Sequence, residues 1–400
     1  MKILHINAIY GYLSTGTIVR DIHELCLLNG IESSVACSKI FPGYENSDIY
    51  LIKNDIFDSK YHALMSRITG KQAYYSSSAT RYLLTYIQNI QPDIVHLHNL
   101  HSNYISLPVL MNYLNLYNIK TVITLHDCWF YTGGCTHYTN QKCYRWMDSC
   151  GKCVDNHIKI FDSSHSVLLD RIRFFQGKNN ITVIGVSEWI KNESIKNVFR
   201  GCSNYTIYNG IDLSVFRPSP SHLRKKLGLE DKFVILGPAT KWLDYSRRHY
   251  LKEFASKLKE NEVLLLFGCN EDNLEVPKRI QLYGFTHNRE ELAQLYSMAD
   301  VFVNCSYEES LSLINIECQA CGTPVVTFDN TGMSETVDGI SGLRVKSGNY
   351  EELLNSCRQI SSLNNEELKD IRLSFIKERF DKHSNYKKLI DIYTSILREQ

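Results

Sequence analysis

The chain has 400 residues, 44% of them hydrophobic and 22% charged, with a formal net charge of +1. That length exceeds what one ordinary core fills and suits two or three domains, and the near-zero charge argues against a dominant role on nucleic acid or another polyanion. Met1–Asn7 is too short and mixed for an export signal and no run approaches the ~20 apolar residues of a spanning helix, so the 13 cysteines are expected to stay reduced in a cytoplasm.

Ile3–Ala8 reads as a first buried strand. The loop after it, Tyr10–Thr17, leads into a helical pattern over Ile18–Leu28. Ser14, Thr15 and Gly16 fall at the predicted helix N-terminus, where free N–H groups attract anions. A capped helix with a glycine turn explains the same residues, and the glycine spacing is not the dinucleotide fingerprint.

Strands follow at Ser34–Cys37 and Ile94–His98. Between them, Lys53, Lys60, Arg67, Lys71 and Arg81 lie in a tyrosine-rich stretch. With Arg171, Arg173 and Lys178 around Phe174–Phe175, they suggest an anionic interface, or equally a solvated helix face. His96 and His98 share one strand face, with His101 just beyond, so one of them can support a pocket. A metal triad is the weaker reading, since no spacing demands it. The strand Thr121–Leu125 ends in His126-Asp127, where a histidine beside an acid can contact substrate or stabilise charge. A satisfied core histidine is the competing explanation.

Cys135, Cys143, Cys150 and Cys153 occur within nineteen residues. Four thiolates can enclose a structural zinc, with His137 or His157 as substitute ligands, and four reduced thiols in a loop are the alternative. Strands at Thr182–Val186 and Tyr205–Tyr208 complete the first half, and the turn Asn209-Gly210 followed by Pro218 marks a boundary.

The second half repeats the alternation, with strands at Phe233–Gly237, Val263–Phe267, Ile280–Tyr283, Val301–Asn304, Pro324–Phe328 and Gly342–Val345. Two α/β domains with doubly wound parallel sheets follow, their ligands expected at the carboxyl ends of the strands. After the strand Phe233–Gly237 come Lys241, Arg247 and Arg248, a cationic group suited to a diphosphate or to solvent. After Val301–Asn304 comes EESLSLINIECQACGTPVV. The pattern predicts a helix from Glu309 to Ala320, with Glu317 about 12 Å along its axis. The N–H groups of Ser310, Leu311 and Ser312 would point at phosphates, with a sugar near Glu309 and ribose hydroxyls at Glu317. A last helix spans roughly Ser384–Arg398, with one apolar face.

These residues resemble the retaining GT-B glycosyltransferases of family 4. The likeness rests on Glu309-x7-Glu317 with Ala-Cys-Gly-Thr-Pro-Val-Val after it, Asn209-Gly-Ile-Asp212 with Phe216 and Pro218, Ser14-Thr-Gly16, His126-Asp127, Ser187-Glu-Trp189 and Thr331-Gly332…Glu335. His-Asp-Cys-Trp-x-x-Thr-Gly and the cysteines after it are similar to a bacterial surface-polysaccharide subgroup.

The resemblance implies two Rossmann-like domains with an interdomain cleft. An acceptor-binding domain would cover 1–212, with helix 384–400 packing back on it, and a nucleotide-sugar domain 213–383. His126 and Glu309 would be catalytic. Lys241, Arg247, Arg248, Ser310, Leu311, Ser312 and Glu317 would bind the donor, and Ser14, Thr15, Gly16 and Asp127 would form an acceptor or phosphate loop. Catalysis would need no cofactor. The implied partners are a UDP-sugar first and a GDP-sugar second, an undecaprenyl-diphosphate-linked saccharide and the inner face of the cell membrane, for O-antigen, capsule or exopolysaccharide. Two departures stand out. Arg247-Arg248 come later after their strand than the family's basic pair, with His249 following, and Gln319 replaces a small residue. A nucleotide-sugar epimerase and a noncatalytic sugar-nucleotide-binding subunit remain the alternatives.

Overall fold

The structure, a computed structural model, describes residues 1–52, 56–154, 160–244, 248–269, 275–363 and 366–398, with Arg248 by its backbone only. It divides into two compact units, Met1–Tyr208 with Tyr386–Gln400, and Asn209–Asn385.

The first unit holds strands β1 (Lys2–Tyr10), β2 (Glu32–Ile40), β3 (Ile49–Leu51), β4 (Ile94–Leu97), β5 (Lys120–Leu125), β6 (Ile181–Gly185) and β7 (Ser203–Thr206). They lie in the order β3-β2-β1-β4-β5-β6-β7, every described pairing parallel. The connecting helices are α1 (Leu13–Leu28), α2 (Ile56–Thr69), α3 (Ser77–Ile90), α4 (Leu107–Leu116), α5 (Ser164–Phe175) and α6 (Glu188–Ser194). β4 and β6 are buried along their whole length, as strands covered on both faces require.

The second unit repeats the plan with β8 (Phe233–Pro238), β9 (Glu262–Phe267), β10 (Ile280–Tyr283), β11 (Val301–Asn304), β12 (Val325–Phe328) and β13 (Leu343–Val345), in the order β10-β9-β8-β11-β12-β13. These pairings are parallel too. Its helices are α7 (Leu223–Lys226), α8 (Ala239–Trp242), α9 (Arg248–Ser256), α10 (Arg289–Ser297), α11 (Leu313–Ala320), α12 (Tyr350–Leu363) and α13 (Glu366–Phe380). The last helix, α14 (Lys382–Arg398), starts in the second unit and from Tyr386 onward belongs to the first.

The twelve expected strands are all present. β3 was not anticipated, because Ile49–Leu51 is short and only half-buried and gives no apolar run. The Asn209–Asp212 segment has a clear physical role. A Cβ on Gly210 would lie 2.2 Å from the Cα of Lys382. Glycine there lets the chain pass against the start of α14, where Ile211 N donates to Phe380 O at 2.8 Å and Asp212 pairs with Lys382 Nζ at 2.7 Å. Among the described residues no helix is long and apolar enough to cross a membrane.

In each sheet the strand order reverses once, between β1 and β4 and between β8 and β11. The loops after those strands are where open α/β sheets take ligands.

Candidate active site

In the second unit, β8 and β11 are neighbours at the reversal, and each delivers a charge. Lys241 sits on α8, directly after β8, and its Nζ lies 3.1 Å from Oε1 of Glu309, in the loop after β11. Both side chains are half-buried.

Glu309 is not on a helix. α11 begins only at Leu313, with Ser312 as its extended N-cap, which corrects the expected start. The loop's polar groups have other partners. Asn304 Nδ2 donates to Ser312 Oγ at 3.1 Å and to Asn315 Oδ1 at 2.9 Å, and Asn304 Oδ1 accepts from Ser306 N at 3.0 Å. Glu309 N donates to Thr331 Oγ1 at 3.1 Å, while its carbonyl accepts from Thr331 Oγ1 at 2.8 Å and from Gly332 N at 3.2 Å. Side chains that bond locally to the backbone compete with helix. The unpaired helix-start donors are thus those of Leu313, Ile314 and Asn315, not those of Ser310 and Leu311. Ser310 Oγ is buried in this loop without a hydrogen-bond partner.

Glu317 lies on α11, half-buried, with Tyr296 OH donating to Oε2 at 3.3 Å. Burial pushes its carboxyl up to about 7, against the opposing charge of Arg289 and the bond from Tyr296. Gln319, the departure without an evident sequence reason, has a structural one. Its Nε2 donates to Asn315 O at 2.9 Å and to Thr336 O at 2.7 Å. It therefore ties α11 to the 3-10 turn Thr331–Thr336 that clamps Glu309. Sequence reasoning missed Asn304, Asn315 and Thr336, whose buried amide and hydroxyl groups in strand, helix and turn were the available signal. Arg247 lies outside the described residues and Arg248 is described only as the first backbone position of α9.

In the first unit, Ser14, Thr15 and Gly16 occupy the first turn of α1. A Cβ on Gly16 would lie 3.1 Å from Ile9 O, so glycine lets α1 start hard against β1. His126 follows β5. Its Nε2 lies 3.1 Å from His98 Nδ1, and His98 Nε2 lies 3.4 Å from His5 Nδ1. His126 Nδ1 is buried without a hydrogen-bond partner. Burial, the largest effect, lowers all three rings, His5 to about 3 and His126 to about 4. They form a ladder of neutral imidazoles reaching from the sheet centre to the end of β5.

Asp127 bonds His101 Nε2 at 2.8 Å and accepts from Trp129 N at 2.8 Å. Burial alone would raise its carboxyl, but His101 and that N–H hold it below the usual range. Burial would lower His101, and the Asp127 carboxylate instead raises it. The two make an ion pair when His101 is protonated.

Two expectations bear on this unit, and the second is corrected. The four cysteines are half-buried free thiols, and among the described residues only His5, His96 and His98 bring three ligand atoms within 4.8 Å of one another. Cys135 and Cys150 each feel other thiols of the set, but the four sulfurs stand wider than the about 3.8 Å of a closed tetrahedral cage, and a structural zinc there stays a proposal. Cys150 instead packs beneath Gly133, where a Cβ would meet its Sγ at 2.8 Å. His137 is exposed, and His157 lies outside the described residues. The histidine trio is a hydrogen-bonded set, since both nitrogens of His96 are taken, by Tyr393 OH at 2.6 Å and Thr124 Oγ1 at 2.7 Å. Second, Arg171, Phe174 and Phe175 are core residues rather than an interface. The Arg171 guanidinium stacks 4.2 Å over the Trp129 ring and donates to Thr132 O. Lys53 lies outside the described residues.

Two family models match the chain, Glycosyltransferase Family 4 over residues 29–215 and Glycosyl transferases group 1 over residues 221–362. D-inositol 3-phosphate glycosyltransferase of Mycobacterium sp. (strain KMS) is 29% identical over 153 residues, 35% of this chain and 35% of that protein. The chain thus spans about a third of the length of that curated relative. Sucrose-phosphate synthase from Thermosynechococcus elongatus superposes with a TM-score of 0.74 at 16% identity, covering 100% of both chains. HepE of Anabaena in complex with UDP-glucose superposes with a TM-score of 0.69 at 16% identity, covering 99% of this chain and 100% of that one. The two parallel-sheet Rossmann-like units are those of the GT-B fold.

Proposed function

We propose that this GT-B chain is a retaining glycosyltransferase of the group 1 and family 4 type. It moves a hexose from a nucleotide sugar, UDP-linked in the first instance and GDP-linked in the second, to a lipid-diphosphate-linked saccharide. The observation that carries the reading is the pairing of Lys241 with Glu309 where the second sheet reverses, with Glu317 on the helix that follows. An ordered carboxylate there can oppose the positive charge that grows at an anomeric carbon as its bond to the diphosphate breaks. The leaving oxygen takes the electron pair. Lys241 and the free N–H groups of Leu313–Asn315 can bear on the diphosphate charge. Glu317 can accept from ribose hydroxyls. Glycosyltransferases of this group need no cofactor for this chemistry.

In this reading the first unit takes the acceptor, with His126 held by His98 and His5, and with Ser14, Thr15, Gly16 and Asp127 near the acceptor or its phosphates. The likeness of His126–Gly133 and the cysteines after it to a surface-polysaccharide subgroup supports an undecaprenyl-diphosphate-linked acceptor at the inner membrane face, for O-antigen, capsule or exopolysaccharide. The test is transfer from labelled UDP- and GDP-hexoses to polyprenyl-diphosphate saccharides, with the anomeric configuration of the product read by NMR. A product with the donor's configuration is expected. An inverted product overturns the retaining assignment, and transfer only to water-soluble acceptors overturns the lipid-linked one.

A further inference from the structure

Helix α2 turns its apolar side outward. At 100° per residue, Phe57, Tyr61, Leu64 and Ile68 fall within about 60° of one another, with Lys60 and Arg67 on the adjoining strip. The side chains it buries are His62 and Ser66, both polar. His62 Nδ1 lies 2.7 Å from Ser76 Oγ, and Ser66 Oγ donates to Lys71 O at 3.1 Å. A helix that packs a core does the reverse. Phe57 is 84% exposed and Leu64 56%. The corner Ile160–Phe161 extends the patch, bonded by its backbone to Arg67 O at 3.4 Å and Ile68 O at 2.9 Å, with Ile160 71% exposed.

Such a surface is costly in water unless something covers it. The charges say what. The cations Lys60 and Arg67 border the stripe on one side and are exposed, while Asp58 lies as far from it on the other side with its Oδ2 buried. A second copy docked with α2 antiparallel to α2 about a twofold axis would set these cations against their own counterparts. Exposed aromatic and aliphatic side chains beside unopposed cations match an anionic bilayer, where rings and chains enter the headgroup boundary and the cations meet phosphates. We infer that α2 and the Ile160–Phe161 corner dock the first unit onto an anionic lipid surface. The inference rests on the proposed lipid-linked acceptor for its purpose, but its test measures binding and not transfer.

The test is flotation of the full chain with phosphatidylcholine vesicles and with vesicles containing phosphatidylglycerol, at moderate salt. Binding to the anionic vesicles alone is expected. Lys60→Gln with Arg67→Gln should weaken it by roughly fivefold per charge removed. Phe57→Ser with Leu64→Ser should abolish it while the melting temperature shifts little, because both side chains are mostly exposed. Equal flotation with both vesicle types, anionic binding that survives both double variants, or no binding at all would overturn the proposal. So would a concentration-dependent dimer by light scattering that the Phe57/Leu64 variant dissolves, since that makes the occupant a second copy. If vesicles bind while nucleotide sugars are not consumed, the surface stands and the proposed activity falls.

Discussion

Acidification should loosen the first unit well before the second. Four clustered histidines, His5, His96, His98 and His126, are pressed below their ordinary value by burial, as are His23 and His62 elsewhere in the unit. In the unfolded chain each takes a proton near its usual pKa, so below that value the unfolded state binds more protons and stability falls with pH. The loss continues until the folded values are reached, near 4 for His126 and near 3 for His5. Between about pH 6.5 and about pH 5.5 each such histidine costs about 1 kcal/mol, about 4 kcal/mol for the set. That is a large share of the 5–15 kcal/mol that holds a typical domain. His101 acts in the opposite sense. Its raised value stabilises on the acid side, and that gain is largely in place by about pH 6.5, so it does not offset the loss. Hydrogen exchange of peptides from β1, β4 and β5, against peptides from β8 and β11, separates the units. The slope of opening free energy with pH should correspond to several protons in the first unit, and a His98→Asn variant should reduce it. A slope below one proton in that window would refute the buried neutral ladder.

Three further outcomes follow from the geometry. Glu309→Gln should mainly lower kcat, and Glu317→Gln should mainly raise the donor KM, by about 1.5–3 kcal/mol per charged hydrogen bond lost, in steady-state kinetics on variants with unchanged melts. Gln319→Ala should cost about 1–3 kcal/mol by leaving Thr336 O buried and unpaired, and urea unfolding measures it. Gly210→Ala should cost about 1–3 kcal/mol or more in thermal melts, since its methyl would overlap Lys382.

The sheets were legible because parallel strands buried on both faces leave short, continuous apolar runs such as Val301–Asn304. The strand ends were legible with them, and so were the positions of Lys241, His126 and Glu309 just beyond β8, β5 and β11. What stayed hidden depended on partners remote in sequence. The loop holding Glu309 takes its shape from Thr331, and Lys241 meets Glu309 from another strand. His126 gains its environment from His98 on β4's end and His5 on β1. Phe174-Phe175 with their flanking cations had the composition of an interface, but composition does not say which side of a helix faces in. α5 buries Phe174 and Phe175 with Arg171, whereas α2 exposes Phe57 and Leu64.

The central claim is that the second unit activates a nucleotide sugar at Glu309. Release of nucleoside diphosphate from a panel of UDP- and GDP-sugars, by the parent protein and by Glu309→Gln in parallel, tests it most directly. Release from at least one donor, strongly reduced in the variant while Glu317→Gln recovers at high donor concentration, is the predicted result. Donor binding without release from any sugar, or interconversion of the donor to its epimer with the nucleotide still attached, would contradict it.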